Sequence, residues 1–256
     1  MMKMKAIIFA ILFGLCLPAR ASMIEYFKWE ERSVGAMAFI SPRYEGSNKY
    51  EPFYFPMMEL QYGPLFASIM RGAGAYIPVN DSRSLIFAPA LRWRAKRNLG
   101  ESLGTIDFIK SIRPTATLNT IYKIDPFMLN FRITEGLAND NPGASYNIGA
   151  TWRDDLLDKK LNLTLYTTLI WGDRAFNQTY FGITEREGER WGFPEWNAKG
   201  GLKSWDFGGL AKYFITKAWS VDIAFEYLRL VNVGAESPIT FAKDQVLFGL
   251  GLSYRF

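Results

Sequence analysis

The chain reads as an all-β protein: a transmembrane antiparallel up-and-down β-barrel of about twelve strands, ten being the fallback, after a cleaved signal peptide. Three observations predict this. Apolar and polar residues alternate with period two in segment after segment, each roughly 9 to 12 residues long, the length a tilted membrane strand needs. The chain also ends inside such a strand, on an aromatic residue, where soluble proteins usually fray. And it begins with an export signal.

Lys3 and Lys5 precede an apolar run from Ala6 to Leu17, and Pro18-Ala19-Arg20-Ala21 supplies a small-x-small cleavage site. The run is shorter than the roughly 20 residues of a transmembrane helix. The expected organisation is therefore a signal peptide over 1–21 and one barrel domain over 22–256. Cys16, the only cysteine, leaves with the signal, so the mature chain has neither disulfide nor thiol chemistry. Removing Lys3, Lys5 and Arg20 lowers the formal charge from +5 to about +2. Acids and bases are interspersed and no basic helix is present, so nucleic acid is not an expected partner. High aromatic content (16%) with 22 glycines fits an apolar outer row alternating with a polar lumen row.

Eleven strands can be named, at about 33–41, 53–62, 65–77, 85–96, 113–123, 127–136, 145–155, 161–172, 202–214, 219–230 and 245–256. Leu85, Phe87, Pro89, Leu91 and Trp93 share one face, with Ile86, Ala88, Ala90, Arg92 and Arg94 on the other. Phe127, Leu129, Phe131 and Ile133 alternate with Met128, Asn130, Arg132 and Thr134, and Val221, Ile223, Phe225 and Tyr227 with Asp222, Ala224, Glu226 and Leu228. Both termini on one side require an even number, so one strand is miscounted, and the region from Leu65 to Ser111 is where the error is expected. Tyr62-Gly63-Pro64, Lys123 to Pro126, Asp154 to Lys160 and Thr216 to Ala218 are tight turns, read as periplasmic. Pro42 to Glu51, Asn98 to Ser111, Asp173 to Gly201 and Asn232 to Asp244 are read as external loops. The last strand places Phe248, Leu250, Leu252 and Tyr254 on one face and Gly249, Gly251, Ser253 and Arg255 on the other. It resembles the closing strand of a bacterial outer-membrane barrel, in which Tyr254 and Phe256 serve as the signal read by the barrel-assembly machinery.

A soluble sandwich or lipocalin-like barrel also alternates. Two features weigh against it. Trp93, Tyr122, Trp152, Trp171, Trp205, Tyr213, Trp219, Tyr227 and Tyr254 gather near strand ends, as girdles at the interface with outer-membrane lipids do. The polar rows carry full charges in mid-strand, which a dry core does not tolerate unpaired. The expected location is the Gram-negative cell outer membrane.

Little in the chain points to catalysis. There is no histidine, so the side chain that titrates near neutrality unperturbed is missing, and with the cysteine gone ordinary zinc ligation goes too. Asp154 with Asp155, and Glu185, Glu187 and Glu189, read as solvated charge rather than acid–base pairs. Gly72 with Gly74, and Gly208 with Gly209, lack the helix and Lys-Ser/Thr of a phosphate loop. No enzyme activity, metal or cofactor is expected.

Two constellations remain. Arg92, Arg94, Arg132, Arg153, Lys212 and Arg255 share the lumen row with Asp206, Asp222 and Glu226, either as a charged pore lining or as a salt-bridge network filling a narrow barrel. The network is the favoured reading. The loop from Asp173 to Gly201 carries Tyr180, Phe181, Trp191, Phe193 and Trp196, either as partner anchors or as a cap folded onto the barrel mouth.

The loop carries a resemblance. Tyr180-Phe181-Gly182-Ile183, Gly192-Phe193-Pro194, Gly201-Leu202-Lys203 and Glu236-Ser237-Pro238-Ile239 occur in the order and spacing of the MipA/OmpV family. Gly72-Ala73-Gly74-Ala75-Tyr76, Ala88-Pro89-Ala90-Leu91-Arg92-Trp93 and the last eight residues fit as well. Trp196 and Glu236 depart from it, where Tyr and Asp are commoner, and the fourth long loop is poor in Asp. The resemblance implies a non-enzymatic outer-membrane protein whose name-giving member looks like a scaffold joining a lytic transglycosylase to a penicillin-binding protein. It carries no site residues. A small channel or porin and an adhesin are the competing expectations.

Overall fold

The computed structural model describes residues 32–95, 112–137 and 143–256. The expected signal peptide and the expected loop from Asn98 to Ser111 lie outside them. Thirteen strand segments follow in chain order: β1 Ser33–Pro42, β2 Tyr50–Tyr62, β3 Leu65–Ser68, β4 Gly72–Ala75, β5 Ile77–Pro78, β6 Leu85–Ala95, β7 Ile112–Ile124, β8 Phe127–Gly136, β9 Ser145–Leu156, β10 Leu161–Gly172, β11 Gly201–Phe214, β12 Trp219–Leu230 and β13 Asp244–Arg255. Every pairing is antiparallel between chain neighbours, apart from β1 with β13 and β4 with β6. Those two seams close the sheet into a barrel.

Segments β4 and β5 are one strand. Ala73 faces Leu91 and Ile77 faces Phe87 at the same offset, so the ladder to β6 is continuous in register. Between them Ala75 falls opposite Pro89, whose ring nitrogen has no hydrogen to donate, and the pairing lapses there. The barrel therefore has twelve strands. The single strand expected over 65–77 is corrected to two, since the chain reverses at Ile69–Arg71 between β3 and β4. That turn holds Ile, Met and Arg rather than the usual Gly, Pro or Asn, so only Gly72 (φ 83°) marks it.

The short β3–β4 hairpin leaves part of the wall incomplete. Among the described residues β2 pairs with β3 only through Glu59–Tyr62, and Tyr50 to Met57 have no second strand beside them. The Met58 carbonyl accepts from the Ile69 N–H, so even-numbered residues of β2 turn their backbone groups toward this edge. Pro52 and Pro56 are among them. Proline at these two places removes N–H groups that would otherwise stand unpaired.

Side-chain direction follows the alternation. Leu91, Trp93, Leu129, Phe131, Ile223, Phe225, Phe248, Leu250 and Leu252 stand exposed on the outer face, an apolar surface only hydrocarbon can cover. Aromatics sit near both rims, with the exposed Trp219 and Tyr254 centroids 5.1 Å apart at one and the exposed Trp205 6.2 Å from the half-buried Tyr227 at the other. Inside, Met37 and Phe39 of β1 point into the lumen against Gly251 and Gly249 of β13. A Cβ on either glycine would collide with those two side chains, so the closing seam depends on hydrogen at both places.

The connections Gly63-Pro64, Val79 to Ser84, Asp125-Pro126, Leu157 to Lys160 and Ile215 to Ala218 lie at the rim where β1 begins and β13 ends, and among the described residues the β3–β4 turn alone of the short ones points the other way. Loops 43–49, 173–200 and 231–243 lie at the other. The loop between β10 and β11 folds into α1 Arg174–Phe181 and α2 Glu185–Trp191, and the loop after β12 into α3 Asn232–Glu236.

Candidate functional site

The lumen divides into two halves with different chemistry. At the short-turn end, strand register sets opposite charges side by side. Lys212 of β11 faces Asp222 of β12 directly, with 3.9 Å between charged atoms and both side chains buried. Asp222 also accepts from Ser253, and from Ser220 at 3.3 Å. Further round the barrel Glu59 of β2 pairs with Arg71 and accepts from Ser68 at 2.5 Å, and Arg71 donates to the Tyr76 hydroxyl at 2.6 Å. Midway, Tyr166 of β10 hydrogen-bonds Glu226 of β12 across β11. They meet because the residue between them is Gly208, where a Cβ would lie 2.6 Å from the Tyr166 ring. Arg153 also lies on the inward row of β9 and has partners.

The long-loop end differs. Arg92 and Arg94 on β6, Arg132 on β8 and Lys203 on β11 line one cavity of about 360 Å3. Arg94 donates to the Ser145 hydroxyl (2.9 Å) and the Gly143 carbonyl (3.1 Å), and Arg92 to the Met70 carbonyl (2.8 Å). All of these partners are neutral. Lys203 pairs with Glu45 of the first loop. Its inward direction is the work of a β-bulge: Ile170 pairs with Ser204 and Trp171 with Leu202, leaving Lys203 as the extra residue, and it and Ser204 are both buried. Alternation assigns one of two neighbours to each face, so sequence reasoning missed Lys203. It also missed Glu45, Glu59 and Arg71, which sit in loops, turns or a row too apolar to draw notice.

The expected partner loop closes over this half. Asp173 caps α1 by accepting from the Phe176 N–H at 2.7 Å, and its other oxygen accepts from the Ala144 N–H at 2.9 Å. The fully buried Asn177 side chain donates to the carbonyls of Lys199 (2.8 Å), Gly172 (3.2 Å) and Gly201 (3.3 Å), tying both ends of the loop to the barrel rim. Thr184 and Glu187 form a capping box on α2, and Gly192 (φ 73°) ends it in the left-handed region. Phe181 is fully buried, its carbonyl accepting from Ser237 of the neighbouring loop at 2.6 Å. Tyr180, Trp191, Phe193 and Trp196 are half-buried. Of the two readings left open, Phe181 follows the inward one: it packs the cap and cannot reach a partner. Phe176, unmarked in the sequence, joins two cations of the site, with the Arg94 guanidinium 4.8 Å and the Lys203 ammonium 5.9 Å from its centroid. Burial pushes the Tyr180 phenol above its ordinary range, with Arg94 opposing, so its hydroxyl stays protonated.

The remaining expected residues lie elsewhere. Asp206 is buried on β11 with one carboxylate oxygen lacking a hydrogen-bond partner. Arg255 is exposed at the short-turn rim, over the Phe214 ring at 4.7 Å. Tyr254 and Phe256 point outward, and the Phe256 N–H donates to the Arg32 carbonyl at 3.0 Å. Among the described residues no group of three acidic, His or Cys side chains is arranged to hold a metal ion.

Comparison with known proteins places this architecture. The NanC porin matches in fold over 87% of this chain and 100% of its own, at 10% sequence identity and a TM-score of 0.52. An outer membrane channel from Pseudomonas putida F1 matches over 88% of this chain and 96% of its own, at 11% identity and a TM-score of 0.39. No curated protein matches the chain by sequence. A family model, described as MltA-interacting protein MipA, matches residues 34–256, from the first strand to the last residue. The chain is an outer-membrane barrel protein and belongs to the MipA family.

Proposed function

We propose that this barrel is a non-enzymatic scaffold tying the outer membrane to murein-remodelling enzymes. The observation that carries the reading is the family match over 34–256, a family described by its interaction with another protein, MltA. Three features support it. The chain has no histidine to act as an unperturbed base near neutrality. Paired charges occupy the short-turn half of the lumen, and a helical cap folds over the other mouth. The rim where β1 begins and β13 ends, which also carries most of the short turns, is the end that faces the periplasm in this reading, where a lytic transglycosylase and a penicillin-binding protein would be met. The test is capture of a lytic transglycosylase by the detergent-solubilised protein. Enrichment well above that on an unrelated barrel of similar size is expected, and equal recovery on both would end the reading.

The cations at the long-loop end favour a second reading, a small channel. Planar bilayers separate the two: steady single-channel steps support conduction, and silence removes it. Attachment to an outside surface through loop 173–200 has less behind it, because Phe176, Phe181 and Ile183 are turned inward.

A further inference from the structure

We infer that the long-loop half of the lumen is a binding site for a small organic anion that carries a carboxylate or a phosphate. The cavity of about 360 Å3 lies within the range of small-ligand sites. Its walls are Arg92, Arg94, Arg132 and Lys203, with Phe176 and Tyr180 of α1 beside them.

Charge and unmet hydrogen bonds in the lining call for an anion. Glu45 is the carboxylate lining the cavity, and it pairs with Lys203. Asp173 lies near Arg94 but gives both oxygens to backbone N–H groups. Glu135 is exposed, on the outward row of β8. Among the described residues no carboxylate forms an ion pair with Arg92, Arg94 or Arg132. Two polar atoms of the lining, Arg92 Nε and Thr115 Oγ1, are buried without a hydrogen-bond partner. Fewer than about one in ten buried polar groups is left so. A guanidinium fork is matched by a group with two or more oxygens carrying negative charge, a carboxylate or a phosphate. A neutral sugar would leave the forks unmatched.

The lining is also held in place. Neutral acceptors orient Arg94, and the Phe176 ring supports both Arg94 and Lys203. Charged groups so arranged bind without first having to be ordered. The walls face the lumen and α1 covers them, so a solute rather than a lipid tail is the occupant. The site stands whether or not the murein reading holds.

Isothermal titration of the full mature chain in detergent micelles tests it, with glucuronate, glucose 6-phosphate and glucose as probes sharing one ring. At least one of the two anions should bind about tenfold more tightly than glucose or better. Arg132→Gln should weaken that anion by about tenfold. Glu45→Gln, which removes the competing carboxylate, should tighten it, and Lys217→Gln at the far rim should leave it unchanged. Heat-modifiable gel mobility checks that each variant is folded. The site is refuted if neither anion binds, if glucose binds as well as both, or if folded Arg132→Gln keeps wild-type affinity. Should Arg132→Gln not fold, Glu45→Gln decides: unchanged or weaker affinity overturns the site.

Discussion

The two halves of the lumen are built from the same strands and carry similar numbers of charged groups, yet they use them in opposite ways. At the short-turn end Lys212 has Asp222 on the next strand and Arg71 has Glu59, and midway Glu226 has Tyr166. At the long-loop end Arg92 stands opposite Thr115 and Arg132 opposite Asn119 and Asn147. A buried ion pair with its remaining valences satisfied locks a wall together, and removal of one partner strands the other. Cations facing hydroxyls and amides add little to such locking and remain available for something that arrives later. One end of the lumen is structural, and the other is set up to bind.

This contrast can be broken by substitution, starting where the effect should be largest. Asp222→Ala removes the buried carboxylate that Lys212, Ser220 and Ser253 share, and should cost about 3–5 kcal/mol. A lower urea midpoint in detergent, or loss of the heat-modifiable band, would register it. Exchanging both Lys212 and Asp222 for Met and Leu should recover much of that loss, because no charge is then left uncompensated. Gly208→Val drives a side chain between Tyr166 and Glu226, and overpacking of this kind costs about 1–3 kcal/mol, read in the same unfolding curves. Phe181→Ala opens the cap without touching the ladder, so loop 173–200 should become sensitive to protease while the barrel midpoint holds. Arg132→Gln sharpens the contrast from the other side: its stability should stay within about 0.5 kcal/mol of wild type, while anion binding falls. A large loss of stability at Arg132 would show the two halves to be alike.

Much of the barrel was legible because alternation is a local property. The segment 161–172 reads off the sequence with the bounds that β10 has, and Val221, Ile223 and Phe225 face outward as their spacing requires. The miscount fell where local signals fail: the β3–β4 turn is made of apolar and basic residues, and the β4–β5 lapse is caused by Pro89 on another strand. The candidate site was legible in part. Arg92, Arg94 and Arg132 lie on one row by period alone, but which cations find a carboxylate depends on register between strands, and that is a long-range matter.

The order of polar and apolar residues was enough to decide that this chain is a barrel, which face meets lipid and which residues look inward, since each of these repeats every two residues along one strand. The tertiary structure alone decided that Lys203 turns inward, that Glu226 meets Tyr166 over Gly208, and that Phe176 and Phe181 close one mouth. Those outcomes turn on a bulge, on a missing side chain between two strands, and on loops meeting across the rim. In each case residues far apart in the chain must come together before the energy of the contact exists.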